Sequence, residues 1–179
     1  MNAMMERHSV RQYRDAAIEE EKRKALLDLV DRSNAETGMH IQILFDEAKC
    51  FDSFMAHYGK FSGVRNYIAL VGKNNADLEE TAGYCGERIV LKAQELGLNT
   101  CWVAMTHGKS AAKIDKGEKL ACLIALGYGN TQGVPHKSKA VAEVCSCSGN
   151  MPQWFADGIQ AALLAPTAMN QQKFFFELN

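Results

Sequence analysis

The sequence carries almost no net charge: 20 basic residues against 21 acidic ones leave a formal −1 over 179 residues. Such a balance gives no electrostatic footprint for nucleic acid or an anionic membrane, so neither is an expected partner. Long apolar runs are also missing. None reaches the ~18 residues of a spanning helix, and the N-terminal "MNAMMERHSVRQY" holds no signal-peptide core. A soluble, cytoplasmic protein is the expectation. The six cysteines form no C-x-x-C pair and no paired histidine spacing accompanies them. Cys145 and Cys147 make a lone C-x-C, while Cys85, Cys101 and Cys122 fall in apolar periodic segments where cysteine behaves as a small hydrophobe. Buried or incidental thiols in a reducing compartment fit this pattern better than a metal or redox centre. No linker, low-complexity tract or charge block divides the chain, and its length suits one domain over residues 1–179.

What is present is enough apolar material, 47% of residues, to bury a sizeable core. Residues 18–32 carry a helical apolar face through Ile18, Ala25, Leu26, Leu29 and Val30, closed by Gly38. "MHIQILF" then reads as a strand, residues 46–65 as a short helix with an aromatic-rich loop, and "YIALVG" as a buried strand. The firmest helix spans 77–96, where Leu78, Ala82, Cys85, Ile89, Ala93 and Leu96 share a face before Gly97. Gly83 and Gly86 inside it cost ~1 kcal/mol each against alanine. They are either tolerated or mark close approach by another backbone, a subunit or a ligand. "TCWVAM" and "LACLIALGYG" are two further buried strands, with a helix expected at 109–116 between them. Pro152 starts a last helix bearing Phe155, Ile159, Ala162 and Leu163 on one face. Strands alternating with helices imply an α+β fold, an α/β sandwich around a mostly buried sheet.

Three polar clusters interrupt this apolar scaffold. In "LLAPTAMNQQKFFFEL" a helix should end before Pro166, leaving amides and a hydroxyl at 167–172 between two apolar elements. Asn170, Gln171 and Gln172 each offer donors and an acceptor, a set suited to a flat heterocycle with carbonyl and imide groups. A plain polar turn with Asn170 bonding its own backbone is the simpler alternative. In "ERHSVRQY", Arg7 and Arg11 are four apart and would share a helix face, with Ser9 between them. Guanidinium forks with a hydroxyl suit phosphate, and a solvated basic face is again the alternative. "PHKSK" repeats that chemistry with Lys137, Ser138 and Lys139.

Taken together and in this order, the clusters resemble the nitroreductase family of flavin-dependent oxidoreductases. The family's R-x-S-x-R appears as Arg7-His8-Ser9-Val10-Arg11, and its flavin loop as Pro166-Thr167-Ala168-Met169-Asn170-Gln171-Gln172. "ERIVLKAQELGLNTCWVAM" is similar to the family's long central helix and following strand, and "ALGYG…PHKSK" to its last strand and basic turn. A flavin loop near the C-terminus resembles a smaller, rearranged branch of that family. Two features depart from the pattern: Lys173-Phe174 replaces the usual Pro-Trp, and members of the branch continue through a further strand and helix beyond the position of Asn179.

The resemblance implies a nitroreductase-like fold, with a mixed central sheet flanked by helices and FMN at the interface of a homodimer. It implies that Arg7, Ser9, Arg11, Lys137 and Lys139 hold the phosphate of FMN, with His8 also among the cofactor-binding residues. Pro166, Thr167, Ala168, Met169, Asn170 and Gln172 would line the ring edge, and Val103 and Ala104 would lie near its reactive face. It further implies a ping-pong exchange, with NADH or NADPH as donor and a nitroaromatic, quinone or similar small molecule as acceptor. No protein side chain is required as acid or base, since the flavin carries the chemistry. A non-catalytic flavin carrier or sensor on the same fold is the alternative.

Overall fold

The computed structural model describes residues 2–179. They group into two compact units, one of residues 7–133 and one of residues 2–6 with 134–179.

The larger unit is built on a four-stranded sheet. Strands β1 (Gln42–Leu44), β2 (Asn66–Lys73), β3 (Asn99–Val103) and β4 (Glu118–Gly127) lie in the order β1-β2-β4-β3 and pair antiparallel throughout. A parallel bridge between Ser9 and Thr100 adds the N-terminal segment to the outer edge of β3, so pairing of both senses occurs. The continuous apolar runs exist because both faces of the sheet are covered. Successive side chains of a strand point to opposite faces. Ile68, Leu70, Ile124 and Leu126 therefore face one core, and Tyr67, Ala69, Val71, Leu123 and Ala125 face the other.

Two helices cover the first face. Helix α2 (Glu20–Thr37) inserts Leu26 and Val30, and α4 (Leu78–Glu95) inserts Ala82, Cys85, Ile89 and Ala93, following the apolar spacing of the sequence. Gly38 ends α2 at φ 70°, and Gly97 follows α4 at φ 75°, left-handed conformations that glycine adopts without a Cβ penalty. The second face is covered by Val10, Tyr13, Cys50, Phe51, Ala56, Phe61 and Val64, with the short helix α3 (Phe54–Tyr58) among them. Ser53 caps α3 by accepting from the Ala56 N–H at 3.2 Å.

Two local expectations fail. Residues 109–116 form no helix. Their alanine and lysine content favours one, but partners from the sheet claim the backbone. Ala111 N–H donates to the Tyr67 hydroxyl at 2.9 Å, Lys113 N–H donates to Gln42 Oε1 at 2.9 Å, and Gln42 Nε2 donates to the Lys113 carbonyl at 2.7 Å. The N-terminal helix α1 (Asn2–Glu6) stops before Arg7, so Arg7 and Arg11 do not share a helix face. Residues 7–13 run extended instead, held by Val10 N–H to the Thr100 carbonyl at 3.0 Å and Tyr13 N–H to the Ser62 carbonyl at 2.9 Å. Alternation along an extended chain still places Arg7, Ser9 and Arg11 on one side.

The smaller unit holds α5 (Gln153–Leu164) and the parallel pair β5 (Cys145–Cys147) and β6 (Phe176–Leu178), with α5 lying between them in sequence. Parallel neighbours need such a crossover. Phe155, Ile159 and Leu163 of α5 pack with Val144 and Cys145, while Phe174 and Leu178 flank them. Pro152 precedes the helix and Ala165 leaves it at ψ 140°, the extended conformation that the following proline favours. Among the described residues, no helix is long and apolar enough to cross a membrane.

Candidate functional site

In the smaller unit, the segment 136–139 folds onto the loop that follows α5. Two side chains of the basic turn reach one carbonyl in the helix's last turn: His136 Nε2 lies 3.0 Å from the Leu163 oxygen, and Ser138 Oγ donates to it at 3.2 Å. Carbonyls at a helix C-terminus have no partner within the helix, so these contacts satisfy one of them. Ser138 is thereby turned toward α5.

Gln172 organises the rest. It is 2% exposed. Its Nε2 donates to the Lys137 carbonyl at 2.8 Å and to Asn170 Oδ1 at 2.9 Å, and its Oε1 accepts from the Lys139 N–H at 2.9 Å. Its backbone N–H donates to Thr167 Oγ1 at 3.0 Å, and its carbonyl accepts from Lys139 Nζ at 3.0 Å. Asn170 Nδ2 also donates to the Lys137 carbonyl, at 2.8 Å. Lys137, Lys139, Thr167, Asn170 and Gln172 are thus brought together. The Asn170 side chain bonds not its own backbone but the Lys137 carbonyl 33 positions away and the Gln172 side chain beside it.

This packing forces unusual backbone. Met169, Asn170 and Gln172 all have positive φ, at 52°, 55° and 47°. Asparagine tolerates that region better than most residues, while methionine and glutamine do not favour it. Such strain persists where the surroundings over-determine it and clusters at ligand sites. Met169 projects into solvent at 91% exposure, Ala168 and Asn170 are exposed, and Pro166 is half-buried. An amide has two N–H donors and two acceptor lone pairs. Asn170 uses one of each within the protein and leaves one of each open.

The other candidates lie in the larger unit. Arg7 is buried at 3% exposure, with Nε 3.6 Å from Glu87 Oε1 on α4. Glu87 also accepts from Trp102 Nε1 at 3.2 Å. Burial pushes the Glu87 carboxyl above the usual glutamate range, an effect that Arg7 and Trp102 partly offset. Ser9 bonds the Cys101 thiol, and Arg11 and Arg7 both lower the cost of charge there, although burial dominates and raises the Cys101 pKa. Arg11 is exposed, its guanidinium 5.9 Å from the Phe61 ring centre. His8 is half-buried and its Cβ abuts Gly133, where an added Cβ would come within 2.7 Å. Val103 is buried, while Ala104 is exposed just beyond the end of β3.

Sequence reasoning missed Glu87, the acidic partner of Arg7, because nothing in the local pattern of α4 marks it. It also valued Gln172 as a ligand contact, whereas the side chain is buried and holds the loop together. The glycines of α4 separate clearly. Gly86 makes room for Trp102 of the same chain, since an added Cβ would lie 2.4 Å from the indole ring, whereas Gly83 has open space.

The family described as "Putative TM nitroreductase" matches residues 1–179. Among solved structures, a "putative nitroreductase" from Thermotoga maritima is 20% identical with a TM-score of 0.68, over 99% of this chain and 70% of that one. An "FMN-dependent Nitroreductase" from Clostridium difficile is 21% identical with a TM-score of 0.56, over 73% of this chain and 88% of that one. A "putative nitroreductase in complex with FMN" from Desulfovibrio desulfuricans is 18% identical with a TM-score of 0.60, over 79% and 92% respectively. At these identities the likeness is one of fold. No protein with a curated description matches the chain.

Proposed function

The chain belongs to the TM nitroreductase family, and from that premise we propose that it is an FMN-dependent oxidoreductase. In this reading NADH or NADPH is the electron donor, and a nitroaromatic, quinone or similar small molecule is the acceptor. FMN supplies the redox chemistry when bound; the protein binds it, orients it and sets its surroundings.

The observation that carries the reading is the loop 166–172. Gln172 fixes its backbone from within, and Asn170 keeps one donor and one acceptor free for a heterocycle edge. The donor set in the larger unit fits a phosphate. Arg11 presents an exposed guanidinium fork, Arg7 is anchored on Glu87, and both act with the Ser9 hydroxyl on the Cys101 thiol. The exposed Ala104 and the backbone of Val103 suit contact with a flat ring, since neither places bulk over it. Lys139 is committed to the Gln172 carbonyl and serves the loop first, leaving Lys137 as the solvent-facing cation of its turn.

A homodimer and a cytoplasmic location belong to the same proposal. The open surface at Gly83, next to Tyr84 at 62% exposure, supports close approach of a second subunit to α4.

The test begins with the visible spectrum of purified protein and titration with FMN and riboflavin. FMN should bind at least tenfold more tightly than riboflavin, which lacks the phosphate. Arg11→Ala should remove much of that difference, since a bond to a charged group is worth about 1.5–3 kcal/mol. Stopped-flow mixing with NADH or NADPH should bleach the bound flavin. A colourless protein that binds neither flavin overturns the proposal, and flavin that binds but resists reduction makes the protein a carrier or sensor.

A further inference from the structure

Three side chains on the rim of the four-stranded sheet converge with no part in the proposed flavin chemistry. Ligand atoms of His40, Asp115 and Glu118 all lie within 4.8 Å of one another. They come from two segments far apart in sequence. His40 precedes β1 and is fixed by its N–H donating to the Val71 carbonyl at 2.8 Å. Glu118 opens β4, and Asp115 sits in the turn before it, with Glu118 N–H donating to the Asp115 carbonyl at 3.0 Å. The ligands are therefore positioned by the sheet and by a closed turn, not by a free loop.

We propose that His40, Asp115 and Glu118 bind one divalent first-row transition ion, such as Mn²⁺ or Zn²⁺, with water completing its coordination. His40 Nδ1 and Glu118 Oε2 are 2.9 Å apart. Two neighbouring ligands on an octahedral ion with bonds of about 2.1 Å are separated by about 3.0 Å. The His40–Glu118 contact is a hydrogen bond whose proton an ion would replace, with the two atoms already near the spacing of one polyhedron edge. Both side chains are partly withdrawn from water, at 31% and 17% exposure. A cation already visits the cluster: Lys113 Nζ lies 3.0 Å from Asp115 Oδ1. That lysine is 74% exposed, and such a pair contributes little, so an ion can displace it cheaply. An imidazole with two carboxylates suits manganese or zinc, whereas calcium and magnesium favour all-oxygen sets.

The consequence would be structural. The ion would tie β1 to the non-helical segment 109–116, adding to the Gln42 and Lys113 hydrogen bonds.

Untagged protein, stripped with chelator and otherwise intact, should be titrated with Mn²⁺ and followed by electron paramagnetic resonance and thermal unfolding. Manganese is the cleaner probe because the six cysteines attract it less than zinc. One bound ion per chain is expected, with Tm rising by roughly 5–10 °C at a hundredfold excess over Kd. Asp115→Asn and His40→Gln should each reduce affinity at least tenfold, and Lys113→Gln should leave it unchanged or tighter. Asp115 is exposed, so its variant should fold whatever befalls the other. No bound Mn²⁺ in the wild type overturns the proposal. So does binding that survives in both ligand variants, or an equal Tm rise with Mg²⁺.

Discussion

The Gln172 side chain donates to the main-chain oxygen of Lys137 at 2.8 Å, joining two segments 35 positions apart. Everything exposed in the loop depends on that buried amide, because the same group also holds Asn170 and the Lys139 N–H.

Gln172→Ala should therefore loosen the loop rather than remove a ligand contact. It leaves the half-buried Lys139 N–H without its acceptor and the Lys137 carbonyl with one donor fewer. The expected cost is about 1–3 kcal/mol, read by urea unfolding, with faster amide exchange at 137–139 and 167–172. Gln172→Glu should be worse, because a carboxylate would face two oxygens where the amide donates. Equal stability of all three proteins would contradict the assignment.

Gly83 and Gly86 should respond in opposite directions. Gly86→Ala places a Cβ 2.4 Å from the Trp102 ring and 3.0 Å from Leu70, an overpacking expected to cost about 1–3 kcal/mol. Gly83→Ala meets nothing in its own chain and should stabilise the helix by about 0.5–1 kcal/mol. Thermal unfolding of both variants checks the pair. Sedimentation adds the second-subunit question, since a methyl at an intimate interface would weaken association.

Acid should weaken the protein partly through Glu118. Its carboxyl is held below the usual range, mainly by His40 and then by the Asp115 N–H. The unfolded chain thus binds a proton at this residue more readily than the folded one. The stability it contributes is present above the ordinary glutamate pKa of about 4.3 and is lost as pH falls through the lower folded value. In metal-free buffer, Glu118→Gln should be less stable than the wild type at neutral pH. The gap should close in acid. A gap of constant size would be inconsistent with this origin.

Thiol labelling should be slow and selective. Burial pushes the Cys50 thiol up to about 11, and burial raises Cys101 as well. At pH 8 only on the order of one Cys50 in a thousand is thiolate, the reactive form. Both residues should resist a disulfide reagent until the protein unfolds, while the half-buried Cys147 reacts first. Raised thiol pKa values mean that folded protein holds these protons more tightly, so their contribution fades as pH climbs toward 11. Mass spectrometry of partly labelled protein identifies the order.

The parts of this molecule legible in the sequence are those set by local repetition. The spacing of Leu78, Ala82, Cys85, Ile89 and Ala93 defines α4 because one face meets one core. Continuous apolar runs define β2 and β4 because both faces are covered. Arg7 and Arg11 were harder, since a spacing of four fits a helix and extended alternation equally well. Residues 109–116 show tertiary partners overriding propensity: the Tyr67 hydroxyl and the Gln42 amide satisfy groups that a helix would pair internally. At the loop, Asn170, Gln171 and Gln172 are chemically alike in sequence. Gln172 is buried and Asn170 exposed once the loop has folded against residues 137–139, and those partners lie 33 to 35 positions away.

The sheet also has two rims, and each is defended. On one side β1 is only three residues long. On the other, the Val10 N–H occupies the Thr100 carbonyl and Ser9 bridges the same strand, covering part of β3. A strand left open offers unpaired N–H and carbonyl groups to any passing chain. The segment that carries Arg7, Ser9 and Arg11 thus doubles as a guard against polymerisation. Peeling it away would change the protein's fate in a crowded solution before it changed any chemistry.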